Sequence, residues 1–382
     1  MSRTASIAAA ISAIAVVGIG LSLSIPLLAL EMEARGISST MIGINTAVSG
    51  IATIVVAPFI PRLVRSIGAR PLLILGTIVT AVCLLAFKAI PNFPLWFPLR
   101  FLFGAALCIL FVVSEFWINA VAPPERRGFI MGIYATALSV GAAAGPALLS
   151  YLGSEGWPPY VAGAIVLLAG AIPIILANGM APSIADTSQH GVFTFLRRSP
   201  TALIAALVFG AIETSVLSFL PVYGIRLGLP ETNASLLLTV AVLGNVVFQI
   251  PLGLVSDKVD RRLLLLLCSL LGAIGCFTLT LLNVNSFSFL AMVFLATGIV
   301  GSLYTVGLAH LGARFHGADL AAANAAFVML YSVGLIIGPP LAGAGMDAYD
   351  PFGFAFVIGG GLAAYALLVF VRLIMRRDGA ES

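Results

Sequence analysis

Stretches of twenty or more apolar residues recur from one end of this chain to the other, and no other feature limits its fold so tightly. An α-helix rises about 1.5 Å per residue, so about 20 apolar residues cross the hydrocarbon of a bilayer. The 382-residue sequence carries such runs at roughly 6–30, 39–61, 71–90, 95–121, 128–152, 159–178, 201–225, 232–256, 263–284, 287–311, 320–344 and 352–374. These predict twelve transmembrane helices, because a helix satisfies its own backbone hydrogen bonds where water is absent. The first run is too long and too evenly apolar for a signal peptide and is kept as a span.

Composition closes off the other fold classes. Hydrophobic residues make up 60% of the chain and charged residues 9%, against roughly 25% charged in soluble domains. A soluble enzyme, a disordered chain and a disulfide-rich secreted domain are therefore excluded, and an all-α integral membrane protein in contact with the lipid bilayer is expected. The four cysteines (Cys83, Cys108, Cys268, Cys276) lie inside apolar runs and read as small buried hydrophobes. The three histidines do not cluster, so no metal site is expected. Neither lysine, Lys88 or Lys258, follows a glycine, which rules out a Walker A phosphate loop. No catalytic triad is visible and no cofactor is expected. The net charge of +4 does not point to nucleic acid, since the basic residues sit in short clusters between apolar runs, as membrane topology requires.

Those clusters set the orientation. With the N-terminus in the cytosol, inner segments hold Arg62, Arg65, Arg70, Arg126, Arg127, Arg197, Arg198, Lys258, Arg261, Arg262, Arg314 and the basic C-terminal residues, while the outer loops keep Arg35, Lys88 and Arg226. The positive-inside rule then puts both termini in the cytosol, with a bacterial inner membrane as the expected location.

The chain also repeats itself. Pro61-Arg62-Leu63-Val64-Arg65-Ser66-Ile67-Gly68-Ala69-Arg70 has its counterpart in Gly253-Leu254-Val255-Ser256-Asp257-Lys258-Val259-Asp260-Arg261-Arg262, an offset of 192 residues between positions 61 and 253. Gly141-Ala-Ala-Ala-Gly145-Pro146 in span five matches Gly334-Leu-Ile-Ile-Gly338-Pro339 in span eleven, an offset of 193 residues between positions 145 and 338. Two unrelated motifs at nearly one offset indicate an internal duplication. The expected organisation is a six-helix half over 1–178, a cytosolic linker over 179–200, and a second six-helix half over 201–382. An even number of spans per half makes this a parallel repeat.

These motifs resemble the major facilitator superfamily over essentially the whole chain. The second-half loop is similar to the family's G-x-x-x-D-[RK]-x-G-[RK]-[RK] signature, with Asp260 where a glycine is usual. The first-half loop departs further, with Pro61 for the first glycine and Arg65 for the acid. Arg100-Phe-Leu-Phe-Gly104 resembles the R-x-x-x-G motif of span four, and Gly132, Gly141 and Gly145-Pro146 resemble the span-five motif often seen in antiporters. Val112-Val-Ser-Glu115 and Leu303-Tyr304-Thr305-Val306 are similar to the YcaD-like branch. The resemblance implies a central cavity lined by spans one, four, seven and ten. It also implies that Asp257, Lys258, Arg261 and Arg262 latch the cytosolic helix ends and release them when the protein opens inward.

Particular residues carry the functional expectations. Glu115 and Glu213 lie inside spans, where an ionised carboxylate is costly, so each is a candidate proton-coupling group; the competing reading is a hydrogen-bonded acid that joins helices. In span four, Arg100, Gly104, Cys108, Phe111, Glu115 and Asn119 recur at helical spacing on one face. Arg100 and Asn119 are candidate substrate contacts, with a snorkelling arginine as the alternative for Arg100. Tyr304 is a candidate polar group of the cavity, and Trp117, with Phe111, Phe209 and Tyr223, is a candidate aromatic wall, though an aromatic residue in an apolar span is more often core or lipid-facing. Gly141, Gly145, Pro146, Gly334, Gly338 and Pro339 put smooth, kinkable stripes on two helices. Packing explains them, and gating between halves is the functional addition.

The expected function is secondary transport of a small organic solute by alternating access, with protons as the candidate coupling ion and a monomer as the working unit. Efflux of drugs or metabolites competes with uptake of a planar nutrient such as riboflavin. Outside transport, the alternative is a membrane receptor or scaffold that moves nothing.

Overall fold

Apolar sequence of this density folds into helices joined by short loops. The computed structural model covers residues 3–121, 127–177, 198–315 and 317–378, and among these there is no strand. The helices are α1 Arg3–Ala34, α2 Ser39–Val56, α3 Ile60–Ile67, α4 Ala69–Ala89, α5 Trp96–Val121, α6 Arg127–Leu152, α7 Pro158–Ala169, α8 Ala171–Leu176, α9 Pro200–Arg226, α10 Glu231–Ser256, α11 Arg261–Leu279, α12 Phe287–Gly312, α13 Gly317–Ala348 and α14 Gly353–Asp378. By length and composition, eleven segments of the described residues are apolar enough to cross a membrane. The expected fifth span is α6, whose segment Thr136–Leu152 is a shorter apolar helix among the described residues. The expected linker over 179–200 falls almost wholly outside the described residues.

Two expected boundaries move for identifiable reasons. The second span runs on to Ile67 through a single 3₁₀ turn, Ala57–Phe59. Pro61 does not stop it, because it sits in the first turn of α3, where a missing N–H breaks no helical bond. The chain stops at Gly68, whose φ of 93° is a conformation that glycine alone takes readily. The ninth span ends early, at Leu279 instead of 284. There the Asn283 side chain accepts from the Asn285 N–H at 2.9 Å and turns the chain toward α12.

The chain divides into two units, Met1–Gly36 with Val48–Asp186, and Ile37–Ala47 with Thr187–Ser382. The opening turns of α2 thus belong to the second unit. In the first unit α1 packs on α6 and α4 on α5 and α7; in the second α9 packs on α13 and α11 on α12 and α14. Counted as spans, these are 1 on 5, 3 on 4 and 6, then 7 on 11, 9 on 10 and 12. These three pairings recur at matching positions in the two units.

The Gly-Pro motifs make the α1–α6 and α9–α13 contacts close. A Cβ added at Gly141 would lie 2.6 Å from the Ala15 carbonyl oxygen, and one at Gly145 would lie 2.6 Å from the Leu23 nitrogen. A Cβ at Gly334 would lie 2.7 Å from the Ala211 nitrogen, and one at Gly338 would lie 2.5 Å from the Ala211 Cα. Pro146 and Pro339 follow inside their helices. Small residues let backbones meet, and each of these meetings is internal to its own unit.

Candidate functional site

The site is built where α9, α12 and α13 meet in the second unit. Gly210 faces the backbone of Tyr331, so α9 and α13 run close enough for short polar contacts. Phe209 and Glu213 are four residues apart on α9 and share one face, as Phe327 and Tyr331 do on α13. The Tyr331 hydroxyl donates to Glu213 Oε2 at 2.5 Å. Phe209 stacks on Tyr331, with ring centroids 6.1 Å apart and planes at 23°. Tyr304 of α12 meets Phe209 at 5.5 Å, and meets Phe327 and Tyr331 edge-on at 5.1 and 5.7 Å.

Glu213, Tyr304 and Tyr331 are partly exposed, whereas Phe327 is buried beneath them among Ala202, Leu203, Ala206, Leu311 and Ala323. The result is an apolar floor with an acid and two phenols at its edge. Chemically, an ionised Glu213 accepts the tyrosine's hydrogen bond, whereas a protonated one brings a donor of its own that needs an acceptor. Of the sequence candidates, Glu213 and Tyr304 come together here. Tyr331 was missed because a tyrosine in span eleven has no spacing signal of its own.

The first-unit candidates are spread along α5. Arg100 is 0% exposed, so its side chain is packed within the protein and meets neither bulk water nor an open cavity in this structure. Trp117 is also 0% exposed, and its indole N–H donates to Ser6 Oγ at 2.6 Å. That places it in the packing of α5 on α1 and corrects the expectation of an open aromatic wall. Glu115 is exposed on α5, next to Ser114, whose hydroxyl is 2.9 Å from that of Tyr134. Asn119 lies in the last turns of α5, and its side chain is outside the described residues.

The loop after α10 differs from the expected latch. Arg261 Nη2 donates to Asp257 Oδ1 at 3.3 Å, a pair within one turn whose acid is 67% exposed. The contact to a neighbouring helix N-terminus is made instead by Asp260, which accepts from the Arg262 N–H at 2.7 Å and caps α11. An acid in the usual glycine position suits a cap, since its side chain reaches back to the orphan N–H groups. Lys258 is exposed.

A second polar cluster, absent from the sequence reading, lies at the opposite end of the second unit. Asp347 of α13 caps the start of α2. Its Oδ1 accepts from the Ser39 N–H at 2.9 Å, and its Oδ2 from the Thr40 N–H at 2.8 Å and the Thr40 hydroxyl at 2.6 Å. Arg226, at the end of α9, donates to Asp350 Oδ1 at 2.7 Å and to Ser39 Oγ at 2.8 Å. Beside the clasp, Gly343 packs on the backbone of Ser39 and Gly43 on that of Pro339.

Comparison with known proteins agrees with this architecture. The model of the Major Facilitator Superfamily matches residues 10–234 and 226–382. The MFS-type transporter YfkF of Bacillus subtilis (strain 168) is 26% identical over 88% of this chain and 88% of its own length. YcaD of Salmonella dublin is 22% identical over 92% of this chain and 91% of its own. Multidrug resistance protein 2 of Bacillus subtilis (strain 168) is 24% identical over 88% and 89%. Among solved structures, the nucleoside transporter NupG superposes with a TM-score of 0.79 at 12% identity, covering 97% of this chain and 99% of that one. A D-xylose-proton symporter superposes with a TM-score of 0.72 at 16% identity, covering 95% and 96%. With both parts of the duplication matched by one family model, the chain belongs to the Major Facilitator Superfamily.

Proposed function

We propose that this protein is a secondary transporter that moves a small organic solute across the membrane by alternating access, with Glu213 as the proton-coupling group. The observation that carries this reading is the Glu213–Tyr331 hydrogen bond on an aromatic floor. Acids inside membrane segments are costly and serve proton or substrate pathways by default. Glu115 is the alternative proton site. The basic loops support a topology with both termini in the cytosol of a bacterial plasma membrane. The Asp347 clasp holds the start of α2 in the second unit, and its release is the step that frees α2 when access alternates.

The aromatic edges of Phe209, Tyr304 and Tyr331 suit a planar or amphipathic solute. Between export and uptake, the relative named Multidrug resistance protein 2 supports export. The test is a thermal-shift screen of the purified protein against metabolites and drugs, followed by flux of each hit in proteoliposomes. A stabilising ligand that crosses the membrane in exchange for itself supports transport. Ligands that bind without any flux mark a receptor.

A further inference from the structure

Within the apolar run of α10, two amide side chains stand one turn apart. Asn245 and Gln249 share a helix face, and Gln249 Nε2 donates to Asn245 Oδ1 at 3.0 Å. Asn245 is held from behind by α12. A Cβ added at Gly301 would lie 2.6 Å from Asn245 Cγ, so the glycine makes room for this amide. Two turns past Asn245, a Cβ added at Gly253 would meet the Thr305 side chain of α12 at 3.9 Å. Gln249 lies between these two contacts, level with the turn of α12 that carries Tyr304. It is exposed, and its Oε1 and second amide hydrogen have no hydrogen-bond partner among the described residues. An amide turned toward hydrocarbon is costly, whereas one turned toward water is satisfied. Its exposed neighbours Val246, Val247 and Ile250 have no such need.

We propose that Gln249 faces the solute pathway and sets specificity, by donating one hydrogen bond to, and accepting one from, the amide-like edge of a planar heterocycle. A carboxamide presents a donor and an acceptor side by side, and glutamine pairs in this way with ring edges that offer the complementary two. Asn245 is the positioning residue, since it holds Gln249 through the other amide hydrogen. This inference rests on the transport reading and names the chemical class of its solute.

The first experiment needs no solute. Gln249→Cys in the full-length protein, embedded in lipid nanodiscs, is treated with a membrane-impermeant methanethiosulfonate and labelling is followed by mass spectrometry. The four native cysteines are buried, and Lys258→Cys reports an exposed loop position. Gln249→Cys should label well ahead of the native cysteines. Failure to label where Lys258→Cys does overturns the placement. The second experiment compares riboflavin with its imide-N-methyl derivative, and theobromine with caffeine, by thermal shift and by flux in proteoliposomes. Two hydrogen bonds are lost on methylation, so the N–H member of at least one pair should bind about tenfold more tightly. Gln249→Leu should abolish that preference. Asn245→Ala should reduce it while affinity for the methylated member holds, which a merely structural defect would not do. Equal affinity within both pairs, no binding of either N–H member, or a preference that survives Gln249→Leu overturns the proposal. Solutes that cross regardless of that edge leave transport standing and overturn the specificity. A Gln249-dependent preference without flux supports the site and counts against the transport reading alone.

Discussion

The helix pairs α1–α6 and α9–α13 are the same structure written twice with different chemistry. Gly18 meets the Leu138 carbonyl and Gly210 meets the Tyr331 carbonyl, at offsets of 192 and 193 residues. At the same spacing, Leu21 stands in the first unit where Glu213 stands in the second. The first unit therefore brings its helices together with leucines at the positions that the second fills with an acid and a phenol. Close packing needs the glycines, and it does not need Glu213 or Tyr331. The proposed coupling role rests on this difference between the two pairs.

The comparison can be broken most severely at the glycines. Gly145→Leu and Gly338→Leu each drive a side chain into a neighbouring backbone. Overpacking of this kind costs about 1–3 kcal/mol, and backbone contact puts both at the upper end. Both variants should lower the unfolding temperature by similar amounts and cut transport. Gly104→Ala should also be costly, since its Cβ would lie 2.8 Å from the Ser49 Cα. Gly360 has nothing within 4 Å of an added Cβ, and Gly360→Leu should be near neutral. Unequal losses at Gly145 and Gly338 would mean that the two units do not pack equivalently.

A smaller effect is expected at the Asp347 clasp. Removing a helix cap costs roughly 0.5–2 kcal/mol, so Asp347→Ala should fall in that range by thermal unfolding. It should also speed the labelling of a cysteine introduced at Ser38, just ahead of α2. Unchanged labelling would show that the clasp does not hold α2.

The smallest effect belongs to the loop. Exposed ion pairs contribute roughly 0.2–1 kcal/mol, so Asp257→Asn should change stability little. Asp260→Ala removes the cap of α11 and should cost about 1 kcal/mol. The reverse order would restore the latch to Asp257.

Much of this was legible in the sequence because hydrophobic length and the repeat are properties of the chain itself. The spans, the duplication and the Gly-Pro contacts needed no tertiary information. Glu213 was legible too, as an acid inside an apolar run. What escaped were partners set by packing. Tyr331 gains meaning only beside Gly210, and Asp347 only where α13 reaches α2. Trp117 was misjudged for the same reason: nothing in its own span announces Ser6. Asp260 was noted as a departure from a motif, but its capping geometry depends on where α11 begins.

The claim that the second helix pair is the coupling site is tested most directly by Glu213→Gln in proteoliposomes, using a solute that the wild type accumulates. The variant keeps the shape of the side chain and removes its proton chemistry. Accumulation driven by a pH gradient should be lost, while solute-for-solute exchange continues near the wild-type rate. Tyr331→Phe should fall between the two. Gradient-driven accumulation at the wild-type level in Glu213→Gln would contradict the assignment.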